Sequence, residues 1–191
     1  MGMGENGTSR NGTGNGAAPH RYAIGVDPAL SAQVRRELLD TLRARTQFDP
    51  EQAERELAAR DMHAEFIRRF APLGLVPDNL PDLLAGHFIA MWTVVHDAPM
   101  PDRDIAAALV RQFTDLIAPS PLAADAGKRQ LMGEALLYEA VLTLEALEAA
   151  RDAGNKTALK DMADSAQSSF LKQRSINLRK TRLSRAGMVR A

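Results

Sequence analysis

Apolar residues recur along most of this chain at the three- and four-residue spacing of amphipathic helices. Leu30, Val34 and Leu38 begin the first such series, which runs from Pro28 to about Arg45. Proline, glycine, asparagine and aspartate separate it from further helical segments, as expected at helix ends. The predicted further ranges are about 50–70, 80–96, 102–118, 125–153 and 159–170. Strand signals are nearly absent, so the pattern predicts an all-α fold, a single bundle of about six helices.

The most apolar stretch is "NLPDLLAGHFIAMWTVVHD", residues 79–97. Its apolar part, from Leu83 to Val95, is shorter than the roughly 20 residues that a bilayer core requires, and His87 and Thr93 interrupt it. We therefore predict no membrane span. A helix that is apolar on nearly every face belongs at the centre of a bundle. Residues 80–96 are therefore predicted to form the central helix.

The composition excludes several kinds of functional site. The chain has 191 residues and no cysteine, which excludes thiolate metal sites, cysteine nucleophiles and disulfides. The formal net charge is zero, which argues against a general attraction to nucleic acid. The zero hides an asymmetry, however. The residues after Asp164 carry +7, and the residues up to Asp164 carry −7.

Three regions are predicted. Residues 1–21 are rich in glycine and asparagine, contain little to bury, and are expected to be disordered. Residues 22–173 are expected to form the helical bundle, and residues 174–191 a basic tail that packs on it. The N-terminal segment has no apolar core of a signal peptide, so the compartment is left open. Periplasmic or secreted is favoured if a signal peptide has been removed, and cytoplasmic otherwise.

The basic tail has two interpretations. It contains the candidate anion-binding residues Arg174, Arg179, Lys180, Arg182 and Arg185, which suit a nucleic acid or an anionic surface. The tail has no aromatic residue after Phe170 to stack on bases, which disfavours nucleic acid. Because its charge equals that of the rest of the chain with opposite sign, we favour a strap that lies over an acidic body.

Metal and catalytic motifs are missing. His87 and His96 are nine residues apart, which places them on opposite sides of one helix. No His-Glu-x-x-His, Glu-x-x-His, nucleophile-elbow or phosphate-loop pattern occurs. We therefore predict no metal, cofactor or catalytic residue. Glu134, Glu139 and Glu145 are likewise expected to be solvated acidic side chains on a long helix, without a catalytic role.

A small apolar ligand is the alternative. Gly86 lies inside the central helix beside Phe88 and Trp92, where a missing side chain could leave a cavity. The candidate ligand-binding residues are His87, Trp92 and Tyr138. A cavity above about 300 Å³ lined by these side chains would support this hypothesis, and a filled core would remove it.

Three segments resemble an uncharacterised family of bacterial, often exported, helical domains of unknown function. They are "NLPDLLAGHFIAMW" at 79–92, Lys128-Arg129-Gln130 with Glu134, and the closing "LSRAGM" at 183–188. Pro81, Ser184 and Met188 depart from the family pattern. The resemblance covers roughly residues 22–188 and implies a helical fold, with export in many members. It supplies no activity to carry over.

The favoured function is a non-enzymatic interaction or binding module, exported from a bacterium, with an unidentified protein partner. The first alternative is a bundle that encloses a small apolar ligand near His87, Trp92 and Tyr138, with or without enzymatic activity. The second is anion or nucleic-acid binding through the tail. Homo-oligomerisation is left open.

Overall fold

The computed structural model describes residues 21–43 and 49–190, which form seven helices and one small hairpin. The predicted disorder of residues 1–21 therefore falls, except for Arg21, outside the described residues, as does the helix extension to Arg45. The helices are α1 (Pro28–Arg43), α2 (Pro50–Ala59), α3 (Met62–Phe70), α4 (Leu80–His96), α5 (Arg103–Ile117), α6 (Ala126–Asp152) and α7 (Lys156–Arg174). After a single 3-10 turn at Leu178–Lys180, strands β1 (Thr181–Ser184) and β2 (Gly187–Arg190) close the chain.

Side-chain caps begin most of these helices. The carboxylates of Asp49, Asp102 and Asp125 accept backbone N–H groups of the first turns of α2, α5 and α6. Asn79 precedes α4 in the predicted capping position, but its side chain donates to Asp82 instead of accepting a helix N–H. The local sequence therefore sets where these helices begin, because the cap satisfies N–H groups that have no helical partner.

One predicted helix is two. Residues 50–70 break at Arg60, whose extended backbone (φ −88°, ψ 133°) ends α2, and Asp61 then caps α3 by accepting the N–H of Ala64 at 2.9 Å. The Arg60 guanidinium binds the Glu145 carboxylate on α6, and this hydrogen bond raises the pKa of Arg60 above its ordinary value. The described residues therefore form seven helices where about six were expected, because the predicted range 50–70 contains two.

The all-α prediction with a central apolar helix is confirmed. Helix α4 packs against α5, α6 and α7 and is buried along almost its whole length. Gly86 permits a close approach to α3, since a Cβ there would lie 2.7 Å from the Phe66 ring. The space beside Gly86 is thus filled by Phe66, and no cavity forms there. Gly133 on α6 plays a similar role beside Ile24 and Leu83. Within the described residues, no helix is long and apolar enough to cross a membrane.

The C-terminal hairpin was not predicted. Strands β1 and β2 pair antiparallel, with Leu183 opposite Met188 and Ser184 opposite Gly187. Gly187 has a backbone φ of +93°, a value that residues other than glycine rarely adopt. The sequence shows only a short alternation here, too short to distinguish a strand from an irregular tail.

Residues 176–190 pack on the bundle mainly through backbone groups and apolar side chains. The indole of Trp92 donates to the Thr181 carbonyl at 3.0 Å, and His96 Nε2 lies 3.0 Å from the Leu178 carbonyl. The amide of Gln112 on α5 brackets Met188, accepting its N–H at 2.9 Å and donating to its carbonyl at 3.4 Å. Hydrogen bonds and buried apolar side chains thus join this segment to the bundle.

Ion pairs of the tail are few. Arg179 binds Asp164, and Arg185 lies 3.3 Å from Asp104 with both side chains well exposed. Hydrogen bonds from Lys160 and Arg179 lower the pKa of the Asp164 carboxyl. Exposed pairs of this kind contribute little. The strap over an acidic body stays a prediction, with two tail arginines paired to acids of α7 and α5.

Candidate functional site

A cleft of about 190 Å³ opens to solvent where α4, α5, α7 and β2 meet. Most of its wall is aliphatic or aromatic, and only two lining side chains are polar, a histidine and an arginine. The lining residues are Leu84, His87, Phe88, Phe113, Leu116, Phe170, Arg174, Ile176 and Met188. They come from four separate elements, so the cleft exists only in the folded chain.

Three phenylalanines form its rigid walls. Phe88 meets Phe113 at 6.0 Å between ring centroids and Phe170 at 5.7 Å, the second pair edge to face. Such geometry is favourable for aromatic pairs, and all three rings are buried. The walls are therefore formed in advance of any ligand.

His87 lies deep in the cleft and is only 4% exposed. Its Nε2 is 2.9 Å from Oε2 of Glu139 on α6, and its ring stacks on Phe170 with centroids 5.6 Å apart and planes inclined by 17°. The Glu139 carboxylate fixes the orientation of the imidazole. The histidine thus has a hydrogen-bonding partner, as expected for a buried polar group.

Arg174 and Leu116 are the exposed members of the lining. Leu116 is 66% exposed, unusually high for a leucine beside an apolar cleft. The Arg174 guanidinium lies over the Phe170 ring, with Cζ 5.6 Å from its centroid. Arg174 forms no ion pair with any residue of the described ranges. One uncompensated cation therefore stands beside the apolar wall.

The three residues predicted to share a ligand pocket do not line one together. His87 lines the cleft, but Trp92 stacks on His96 at 4.5 Å and is hydrogen-bonded to Thr181. Tyr138 lies on α6 and is buried in the main core. The cleft is also smaller than the 300 Å³ expected for a pocket of these residues. Positions 87 and 92 lie about 140° apart around α4, so Trp92 faces away from the cleft that His87 lines.

The basic tail residues have separate environments. Arg174 borders the cleft, whereas Arg179 and Arg185 pair with Asp164 and Asp104. Lys180 and Arg182 are exposed, on the 3-10 turn and on β1, and neither forms an ion pair with a described residue. Two of the five proposed anion-binding residues are thus already paired with aspartates of the same chain.

Phe113, Phe170, Arg174 and Met188 were not recognised as neighbours of His87. Phe170 and Arg174 share one face of α7 at a spacing of four, which was the available signal. Nothing in the sequence places that face against α4 or brings β2 alongside it.

The cleft combines an apolar wall with one buried histidine and one exposed arginine. Among the described residues, the cleft lining contains no hydroxyl, thiol or lysine that could act as a nucleophile, and no group of three or more potential ligands could hold a metal ion. The cleft can enclose a small apolar group and place a positive charge beside it.

A second depression, of about 160 Å³, lies between α1 and α2. Four of its five lining residues are charged: Arg36, Asp40, Glu51 and Glu54, with Leu39. These are ordinary surface side chains of two amphipathic helices, so the apolar cleft is the stronger candidate.

No protein-family model, no curated protein and no solved structure matches this chain. The resemblance of residues 79–92, 128–134 and 183–188 to exported helical domains stays a prediction, and any conclusion about function depends on the geometry of the cleft.

Proposed function

We propose that the protein is a non-enzymatic binding module and that the cleft formed by α4, α5, α7 and β2 is its binding site. The observation that carries the proposal is a preformed cleft, open to solvent, whose wall is largely aliphatic and aromatic. Export from a bacterial cell is part of the same proposal and is supported by the family resemblance alone.

Solvent contact with an apolar wall is unfavourable, so a ligand that covers the wall gains binding free energy. The gain is about 25 cal/mol per Å² of apolar surface removed from water. Leu116 extends this surface beyond the cleft, since two thirds of its side chain is exposed. Burial of these groups by a partner or ligand explains why they are left uncovered in the isolated chain.

The size of the cleft selects a small group. Its volume of about 190 Å³ is close to that of the engineered cavity of about 150 Å³ that binds benzene. Pockets for larger organic molecules begin near 300 Å³. The bound group is therefore an aromatic ring or a short alkyl chain, either free or projecting from a partner.

A neutral alkyl probe tests the site without involving charge. We expect 1-octanol to bind with a Kd in the high micromolar to millimolar range, because each buried CH₂ contributes about 0.8 kcal/mol. The Leu116→Arg variant places a charge beside the wall and should weaken 1-octanol binding at least about fivefold. Chemical-shift changes in ¹H–¹⁵N spectra during titration measure both affinities.

The matched control is Ile67→Arg, which changes another half-exposed aliphatic residue, on α3 and outside the cleft lining. It should leave 1-octanol binding unchanged, and both variants should keep the helical circular-dichroism spectrum. Absence of 1-octanol binding to the unaltered protein, or equal weakening by both substitutions, would contradict the proposal.

A further inference from the structure

We propose that the ligand of the cleft is a small organic acid, with its apolar body against Phe88, Phe113 and Phe170 and its carboxylate at Arg174. The inference rests on the proposed function and adds the chemical class of the ligand. It depends on the positive charge of Arg174, whereas the proposed function depends on the apolar wall alone.

Arg174 is available to a ligand anion. It is the last residue of α7, it is exposed, and no described carboxylate lies within ion-pair distance of it. Its position near a helix C-terminus is favourable for any cation, but this does not account for its place in the cleft wall. Contact with Phe170, one helical turn earlier, orients the guanidinium beside that wall.

An arginine held in this way suits a carboxylate better than other groups. Its planar guanidinium presents paired N–H donors that match the two oxygens of a carboxylate, and stacking on an aromatic ring leaves those donors free. Hydrogen bonds between two charged groups are stronger than neutral ones. A ligand with an apolar body and an acidic end would satisfy both kinds of surface at once.

His87, the other polar residue of the cleft, does not alter the preference for an anionic ligand. His87 Nε2 lies 2.9 Å from the Glu139 carboxylate, so the negative charge of Glu139 has a hydrogen-bonding partner of its own. Among the lining side chains, only Arg174 carries a permanent charge. A cationic ligand would meet this guanidinium without a compensating acid in the lining, whereas an anionic ligand neutralises it.

Three probes with the same eight-carbon chain separate the charge from the apolar body: octanoate, 1-octanol and octylammonium. With the full chain at low salt, we expect octanoate to bind about tenfold more tightly than 1-octanol, and octylammonium to bind most weakly. The advantage of octanoate should shrink as salt is added, since salt screens exposed charges. Binding of 1-octanol should stay constant.

Substitution identifies the cation. Arg174→Gln should reduce octanoate affinity about tenfold and 1-octanol affinity far less, because the alcohol carries no charge for the guanidinium to neutralise. The matched control is Arg182→Gln, which removes another tail arginine that has no ion pair among the described residues and lies outside the lining. It should leave both affinities unchanged.

The outcomes separate the two proposals. If 1-octanol binds and octanoate is no tighter, or if Arg182→Gln weakens octanoate as much as Arg174→Gln, the organic-acid inference is wrong and the binding module stands. If none of the three probes binds, both proposals are wrong. If Arg174→Gln weakens 1-octanol and octanoate equally, the arginine only supports the cleft and the inference is likewise wrong.

Discussion

Replacement of Leu178 by alanine is expected to lower the free energy of unfolding by about 2–5 kcal/mol. Leu178 lies in the C-terminal segment, yet its side chain is fully buried in the main core. The backbone carbonyl that lies 3.0 Å from His96 Nε2 would be retained, so the loss would report apolar packing alone. Urea unfolding followed by circular dichroism and by the fluorescence of Trp92, the single tryptophan, measures the change.

The matched control for Leu178 is Leu171→Ala. Leu171 belongs to α7 and is 49% exposed, so the same chemical change should alter stability by no more than about 0.5 kcal/mol. Equal, small effects at the two positions would mean that residues 178–190 do not stabilise the bundle. The basic tail would then not be part of the folded core, and anion binding by the whole tail would be the favoured interpretation.

The second large effect is expected at Gly86. Alanine normally stabilises a helix by about 1 kcal/mol relative to glycine, but at Gly86 it should destabilise the protein by about 1–3 kcal/mol. The added Cβ would lie 2.7 and 2.9 Å from two ring atoms of Phe66. Phe66 is fully buried and stacks on Phe70 at 4.4 Å, so its ring has little room to move. Thermal and urea unfolding of Gly86→Ala test this prediction.

Gly127→Ala is the control for Gly86. Gly127 also lies within a helix, in the first turn of α6, but a Cβ there would meet Asp125 and Leu30 at ordinary distances of 3.6 and 3.8 Å. Alanine at this position should leave stability unchanged or raise it by up to about 1 kcal/mol. A stabilised Gly86→Ala protein would show that the contact of α3 with α4 is looser than the structure has it.

Local sequence patterns predicted where helices begin, but they did not predict where one helix breaks into two. Asp-Pro at 49–50 and Asp at 102 and 125 placed helix starts correctly, since a cap needs only nearby backbone groups. The break at Arg60 has no proline or glycine to mark it. It is stabilised by Glu145, 85 residues further along the chain, a partner that no local pattern reveals.

The site was predicted less well than the fold. His87 was identified because a histidine in an apolar helix is conspicuous, and it does line the cleft. Trp92 and Tyr138 were chosen by proximity in sequence or by residue type, and they face other neighbours. Arg174 was identified as a basic residue, but its separation from the paired arginines Arg179 and Arg185 depends on where acidic side chains lie in space.

By itself, the sequence determined the helical class and the central position of residues 80–96, because spacing and capping are local and an all-round apolar helix must be covered. Only the tertiary structure decided that Phe170, Arg174 and Met188 meet His87 in one cleft, and that the basic tail contributes Leu178 to the core. These contacts join residues far apart in the chain. Their free energy comes from the packing of particular surfaces, which the period of a single helix does not encode.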